Sequence, residues 1–211
     1  VAADALLLDL DRTLVDLQSF TDYGAALADV RDLLGSWDVA DVPATDWDAP
    51  TMACMSVLHS LAGDSRWAQV SQAIARHERA AIPFSTVMPT VETTLPVLCS
   101  IPVGVVTLVA PDVVPDVLAL HAIRMGLEVD VVVGRDACVL PKPEPDGLLA
   151  ACEYLNVTPA RAVMIGDSRW DAQAAARAGI RFIGVPSGPG ALDDCGEQEP
   201  SFAAAVERAR A

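Results

Sequence analysis

The sequence predicts an α/β fold: a doubly wound, Rossmann-like sheet of parallel strands, with a block of helices inserted behind its first strand. Three observations carry this. Five apolar runs of strand length recur, at residues 5–10, 103–108, 129–134, 162–165 and 181–185. The later runs alternate with helical patterns, the order of strand–helix–strand units in a parallel sheet. The alternation is broken once: after Leu10 the next strand candidate does not come until Val103, and the gap holds helical patterns.

Taken in order, the first four runs are nearly continuous in apolar residues, as strands covered on both faces must be. Behind the first lie helical patterns at 23–34, 51–61 and 66–81, the first two separated by a Pro-, Trp- and Asp-rich loop at 39–50. Residues 16–85 are therefore expected to form an inserted helical subdomain, and residues 1–15 and 86–211 the α/β core. In the core, helices are expected at 113–125, ending at Gly126, at 143–155, ending near Asn156, and at 169–178, ending at Gly179. Gly and Asn just past a helix tolerate the left-handed backbone that closes it. An acidic loop at 193–199 precedes a last surface helix at 201–211.

Composition narrows the function. The chain carries 14 Lys and Arg against 29 Asp and Glu, a formal net charge of −15. Nucleic acid and anionic membrane surfaces select basic partners, so neither is expected here. With 52% hydrophobic residues the chain can bury a core and is too apolar to be disordered. The five cysteines, at 54, 99, 138, 152 and 195, form no CxxC pair and are expected mostly as buried thiols in a reducing compartment. The first residues lack a basic leader, and no apolar stretch reaches membrane-spanning length, so a cytoplasmic location is expected.

In open α/β sheets ligands bind beyond the carboxyl ends of the strands. Those ends hold Asp9, Asp11 and Thr13 after the first run, Thr107 after the second, Lys142 after the third, and Asp167, Ser168 and Asp171 after the fourth. Asp9 and Asp11, two apart in extended chain, point to one side and repel unless a cation or proton intervenes. Capping a following helix would account for one of them, not both. Oxygen donors of this kind suit Mg²⁺, with Asp167 approaching from the neighbouring strand. Asp9 is then placed to attack phosphorus, and Asp11 to give and take the proton.

Ser168 and Asp171 match a helix capping box, which leaves Asp167 free for the metal and gives Asp171 at most a water-mediated part in it. The Thr107 hydroxyl and the backbone after it can hold a phosphate oxygen. Lys142 is the only lysine in a chain with 13 arginines, and it is pinned between Pro141 and Pro143, which aims its side chain. Other patterns fail. His77-Glu78 has no second histidine one turn on, there is no phosphate-binding glycine loop followed by Lys, and the acidic 193–199 segment lacks the spacing of a calcium loop.

These residues resemble the four motifs of the haloacid dehalogenase superfamily, in family order: Leu6-Leu7-Leu8-Asp9-Leu10-Asp11-Arg12-Thr13-Leu14, then Val103-Gly104-Val105-Val106-Thr107, then Lys142-Pro143-Glu144-Pro145, then Ile165-Gly166-Asp167-Ser168-Arg169-Trp170-Asp171. The resemblance covers residues 5–15 and 86–190. It implies a Mg²⁺-dependent phosphatase of the phosphoglycolate phosphatase-like branch, acting on a small phosphorylated metabolite through an aspartyl phosphate. Asp9 is the implied nucleophile and Asp11 the acid and base. Asp9, the Asp11 carbonyl and Asp167 are the implied metal contacts, and Thr107 and Lys142 the implied phosphate contacts; Asp171, through water, is a further candidate at the metal and Thr13 a further candidate at the phosphate. The helical insertion resembles a C1-type cap that closes over the substrate. Two departures stand out: Arg12 replaces a frequent Gly, and Leu108 a frequent polar residue.

Within the superfamily, Asp11 argues against the hydrolytic dehalogenases, which lack it, and the lysine-free insertion against a Schiff-base mechanism. A phosphosugar mutase uses the same aspartates and is the alternative reading. A non-catalytic binding protein of the same fold is the other, although such a protein would be expected to have lost a site residue. Receiver domains share the Asp, Thr and Lys-Pro but end their constellation at the lysine; Gly166-Asp167 lies beyond it. Oligomeric state and substrate identity are not legible.

Overall fold

A computed structural model describes residues 2–36, 48–98, 101–125, 128–137, 140–188 and 192–211. In chain order its elements are β1 (Ala5–Leu8), β2 (Val15–Asp16), α1 (Tyr23–Gly35), α2 (Pro50–Ser60), α3 (Trp67–Ala81), β3 (Thr86–Val87), α4 (Val91–Thr94), β4 (Val103–Val106), α5 (Val114–Met125), β5 (Val131–Val133), α6 (Asp146–Tyr154), β6 (Ala162–Gly166), α7 (Arg169–Ala178), β7 (Arg181–Gly184) and α8 (Phe202–Arg210). The expected α/β class holds. Five strands form one parallel sheet in the order β5-β4-β1-β6-β7, with β1 at its centre.

Alternation along each strand feeds two cores. Leu6, Leu8, Val103, Val105, Val163 and Ile165 point to one face, where Val113, Val114 and Val117 beside and within α5 and Phe202 and Val206 of α8 meet them. Leu7, Val106 and Met164 point to the other, against Leu148 and Cys152 of α6 and Ala174 and Ala175 of α7. Register keeps the faces aligned, since Leu7 lies opposite Gly104 and Met164. Side chains buried on both faces explain why these runs lack polar alternation.

The helices between β2 and β3 have a core of their own, in which Leu27, Val30, Val57, Leu58, Val70 and Ile74 pack together, with Trp67, Leu108 and Trp170 against it. The chain enters and leaves this helical block through β2 and β3, which pair antiparallel, Val15 with Val87 and Asp16 with Thr86. Two-residue strands are too short to show a period, so this pair was not expected. The helical block is also tied to the sheet by a buried ion pair. Arg135 donates to Glu78 of α3 at 2.6 Å, to the Leu108 carbonyl at 2.8 Å, and to the Ser71 hydroxyl and carbonyl. Both charged side chains are fully buried.

Element ends differ from expectation for local reasons. The β1 and β4 ladders stop before Asp9 and Thr107, where the backbone turns into the loops that carry these residues. Helix α6 begins at Asp146 rather than 143, because Pro143 and Pro145 disfavour helical backbone in the residues preceding them. Helix α7 spans the expected residues, with Ser168 as N-cap and Gly179 at φ +69 as C-cap. Cys54 and Cys152 are buried thiols and Cys195 is half-buried. Cys99, Cys138, Gly126, residues 39–47 of the expected loop and Gly190 lie outside the described residues. Among the described residues no helix is long and apolar enough to cross a membrane.

Candidate functional site

The carboxyl ends of β4, β1 and β6 converge on one acidic pocket. Asp9 follows β1 directly and its backbone N–H donates to the Ile165 carbonyl, which holds the loop against β6. Thr107 follows β4 and its N–H donates to Val133. Asp167 and Ser168 follow β6, and Asp171 lies in the first turn of α7. Lys142 reaches the same point from the turn before α6.

Lys142 is the centre of the cluster and is 4% exposed. Its ammonium donates to Asp9 Oδ1 at 2.7 Å, to the Val106 carbonyl at 3.0 Å and to Asp171 Oδ1. An ammonium has three donors, and all three are used. Burial works against its charge, yet Asp171 and Asp9 outweigh that and hold the group above its ordinary range. Asp171 accepts on its other oxygen from the Ser168 hydroxyl and N–H, completing the expected capping box. Both roles are therefore real: Asp171 caps α7 and anchors Lys142.

Asp9 is 5% exposed and the Thr13 hydroxyl lies 3.4 Å from its Oδ2. Burial raises its carboxyl well above the usual range; Lys142 opposes this, and Asp171 and Asp167 add to it. Asp167 is pushed up to about 6 by burial and by Asp171, against the Ser187, Lys142 and Arg12 contacts. Asp9, Asp167 and Asp171 each offer a carboxylate oxygen, and these atoms lie within 4.8 Å of one another. The Asp171 oxygens already accept from Lys142 and Ser168, which leaves Asp9 and Asp167, two hard oxygen donors whose carboxyls are disfavoured as anions, as the pair that fits a small divalent cation such as Mg²⁺.

Asp11 sits apart from those three. Its Oδ1 accepts the N–H groups of Leu17 and Gln18, both at 2.9 Å, at the start of the helical block. Burial is the main cause that pushes its carboxyl up to about 7, against the Gln18 and Leu17 N–H groups, so near neutrality a substantial part of it is protonated. Asp9, Asp11, Thr107, Lys142, Asp167 and Ser168 line one cavity of about 90 Å³, roofed by Gln18, Tyr23, Thr51 and Met55. Thr13 and Asp171 join the cluster from behind and do not line that cavity. The roof residues were missed by sequence reasoning, since only tertiary packing brings them over the strand ends.

Comparisons with known proteins show the family and the fold. A family model of haloacid dehalogenase-like hydrolases matches residues 3–179. The chain belongs to the haloacid dehalogenase-like hydrolases. Over 89 residues it is 37% identical to the phosphoglycolate phosphatase of Escherichia coli K12, covering 42% of this chain and 34% of that protein. Over 72 residues it is 40% identical to that of Psychrobacter arcticus, covering 34% and 31%. The chain thus spans about a third of the length of these curated relatives. The fold is shared with a hydrolase from Pseudomonas syringae (TM-score 0.70, 20% identity, 97% of this chain and 96% of that one). It is also shared with CbbY from Rhodobacter sphaeroides in complex with phosphate (TM-score 0.66, 20% identity, 95% of each chain).

Arg12, one of the two departures read from the sequence, has a special backbone conformation. This residue has φ +63, left-handed backbone that glycine adopts freely and that costs other residues about 1–2 kcal/mol. Its side chain donates to the Ser187 carbonyl at 3.0 Å, and its Nε lies 4.0 Å from Asp167 Oδ2. Arg12 also lines a second cavity of about 360 Å³ that shares Gln18, Thr51, Met55, Leu108, Asp167 and Ser168 with the first. Leu108, the other departure, packs against the core of the helical block.

Proposed function

We propose that this chain is a Mg²⁺-dependent phosphomonoester hydrolase that acts on a small phosphorylated metabolite through an aspartyl-phosphate intermediate. The observation that carries the reading is the lone lysine: Lys142 bridges Asp9 and Asp171 at the floor of a cavity whose walls hold Asp11, Thr107 and Asp167. Asp9, Asp167 and the Asp11 carbonyl would hold the ion, with Asp171 acting through water. When bound, the ion supplies positive charge beside the transferring phosphoryl group.

The chain's own groups do the rest. An Asp9 carboxylate oxygen forms a bond to phosphorus as the bond to the leaving oxygen breaks. Asp11, with a substantial part protonated near neutrality, gives its proton to that leaving oxygen. A water then attacks phosphorus, its proton passes to Asp11, and the bond from phosphorus to Asp9 breaks, which restores both carboxyl groups. The Thr107 hydroxyl steadies a phosphoryl oxygen, and Lys142, whose donors hold Asp9, Asp171 and the Val106 carbonyl, contributes its positive charge beside the phosphoryl group. Residues 16–85 act as a cap that shuts water out of the cavity, hinged on β2 and β3. The alignments with phosphoglycolate phosphatases and the phosphate held by a protein of the same fold support this reading.

The test is hydrolysis of an aryl phosphate with added Mg²⁺. Wild type should turn it over, and chelator should stop it. Asp9→Asn should abolish turnover with an unchanged circular dichroism spectrum. Undiminished activity in Asp9→Asn, or in excess chelator, overturns the assignment.

A further inference from the structure

We propose that Arg12 is a specificity-determining residue that binds a second anionic group, carboxylate or phosphate, on the leaving-group side of the substrate. The inference rests on the reading of the 90 Å³ cavity as the phosphoryl site and adds what the rest of the substrate must be.

Four observations converge. The 360 Å³ cavity adjoins the phosphoryl site and shares its wall, so it is where a leaving group would lie. Among the described residues, the helical block gives these two cavities Gln18, Tyr23, Thr51, Met52 and Met55, and no cation. Lys142 has its three donors committed to Asp9, Asp171 and Val106. The other cations on the described walls are Arg12 and Arg169, both on the core side.

A substrate with extra negative charge entering beside Asp9, Asp11 and Asp167 needs that charge met by protein. Arg12 presents a planar fork suited to the two oxygens of a carboxylate or phosphate. The Ser187 carbonyl takes one Nη2 donor and holds the fork in place without using it up. The backbone points the same way. The turn from Asp11 to Val15 is tight, with the Arg12 N–H donating to the Val15 carbonyl at 2.7 Å, and φ +63 would be relaxed with glycine. An arginine kept in a conformation that disfavours it is explained by what its side chain does.

The experiment uses two matched pairs, phosphoglycolate with its primary amide and propane-1,3-diol bisphosphate with the monophosphate. Wild type should prefer the anionic member of at least one pair by about tenfold or more in kcat/KM, and which pair does so identifies carboxylate or phosphate. Arg12→Gly fits the backbone better than arginine, so loss of fold does not confound it; its preference should fall by about that factor. Arg12→Lys should keep part of it. Dissociation constants of the same four esters, measured by calorimetry on Asp9→Asn with and without Arg12→Gly, separate the two readings. Arg12-dependent selectivity in binding without wild-type turnover overturns the hydrolase and keeps this inference. Turnover with no charge preference, an equal preference in Arg12→Gly, or an effect confined to Mg²⁺ dependence, which would make Arg12 only a charge partner of Asp167, overturns this inference.

Discussion

Gly166 shows how little room the site leaves. A methyl group on this residue would lie 2.7 Å from the Asp171 carboxyl and 2.8 Å from its Cβ. Asp171 holds both Lys142 and the α7 N-cap, so the glycine is what lets β6 run directly under the cluster. Gly166→Ala should displace Asp171, loosen Lys142 and lower kcat/KM for an aryl phosphate by roughly tenfold or more, the scale of losing one electrostatic contact. The strain of overpacking should also lower stability by about 1–3 kcal/mol in urea. Wild-type kinetics in this variant would remove Asp171 as the anchor of the lysine. That Asp9, Asp11, Thr107, Lys142 and Asp167 gather at one cavity was legible because strand ends are predictable places and a lone lysine is conspicuous. The direction of the Asp11 carboxyl, toward Leu17 and Gln18, was not, because it depends on a turn that one left-handed residue makes possible.

At the scale of elements, the strands and long helices were legible because periodicity and capping residues are local signals. The joints between the helical block and the sheet were not. β2 and β3 are two residues each, and the Arg135–Glu78 pair joins residues 57 apart in sequence. Nothing local distinguishes Arg135 from the other twelve arginines. Its network also reaches the candidate site: Arg135 holds the Leu108 carbonyl and Glu78 accepts the Ala110 N–H at 3.3 Å, so the loop after Thr107 is gripped from α3. Removing one partner leaves the other charged and buried, at a cost of about 3–5 kcal/mol. Glu78→Leu and Arg135→Met should each lower the unfolding free energy on that scale. The double variant Glu78→Leu/Arg135→Met should be less destabilised than the sum of the two losses. Additive losses in denaturant melts would show that the pair is not coupled.

For the whole molecule the governing quantity is negative charge, −15 at neutral pH, part of it concentrated at the site. Some carboxylates are compensated. Glu197 is held down to about 2 by Arg181 and Arg208, tying the segment before α8 to β7. A depressed carboxyl stabilises the fold above its unfolded value and loses that contribution as pH falls from about 4.5 to 2. Glu197→Gln should therefore flatten this part of the acid-denaturation limb. Asp167 has the opposite sign. Burial and Asp171 push it up to about 6, so at pH 7.5 its ionised form works against folding. In chelator, Asp167→Asn should be more stable than wild type, by about 1–2 kcal/mol from relieved repulsion. A cation bound only by the folded state stabilises by mass action, so millimolar Mg²⁺ should raise the wild-type melting temperature. The variant, lacking one oxygen anion, should respond far less, and the two melting curves should approach or cross as Mg²⁺ is added. The stabilising substitution would then be the inactivating one, with the acidic cluster kept at the expense of stability for the ion it holds. A wild-type melting temperature indifferent to Mg²⁺, together with an Asp167→Asn variant less stable in chelator, would show that the cluster is balanced by Lys142 and Arg12 alone.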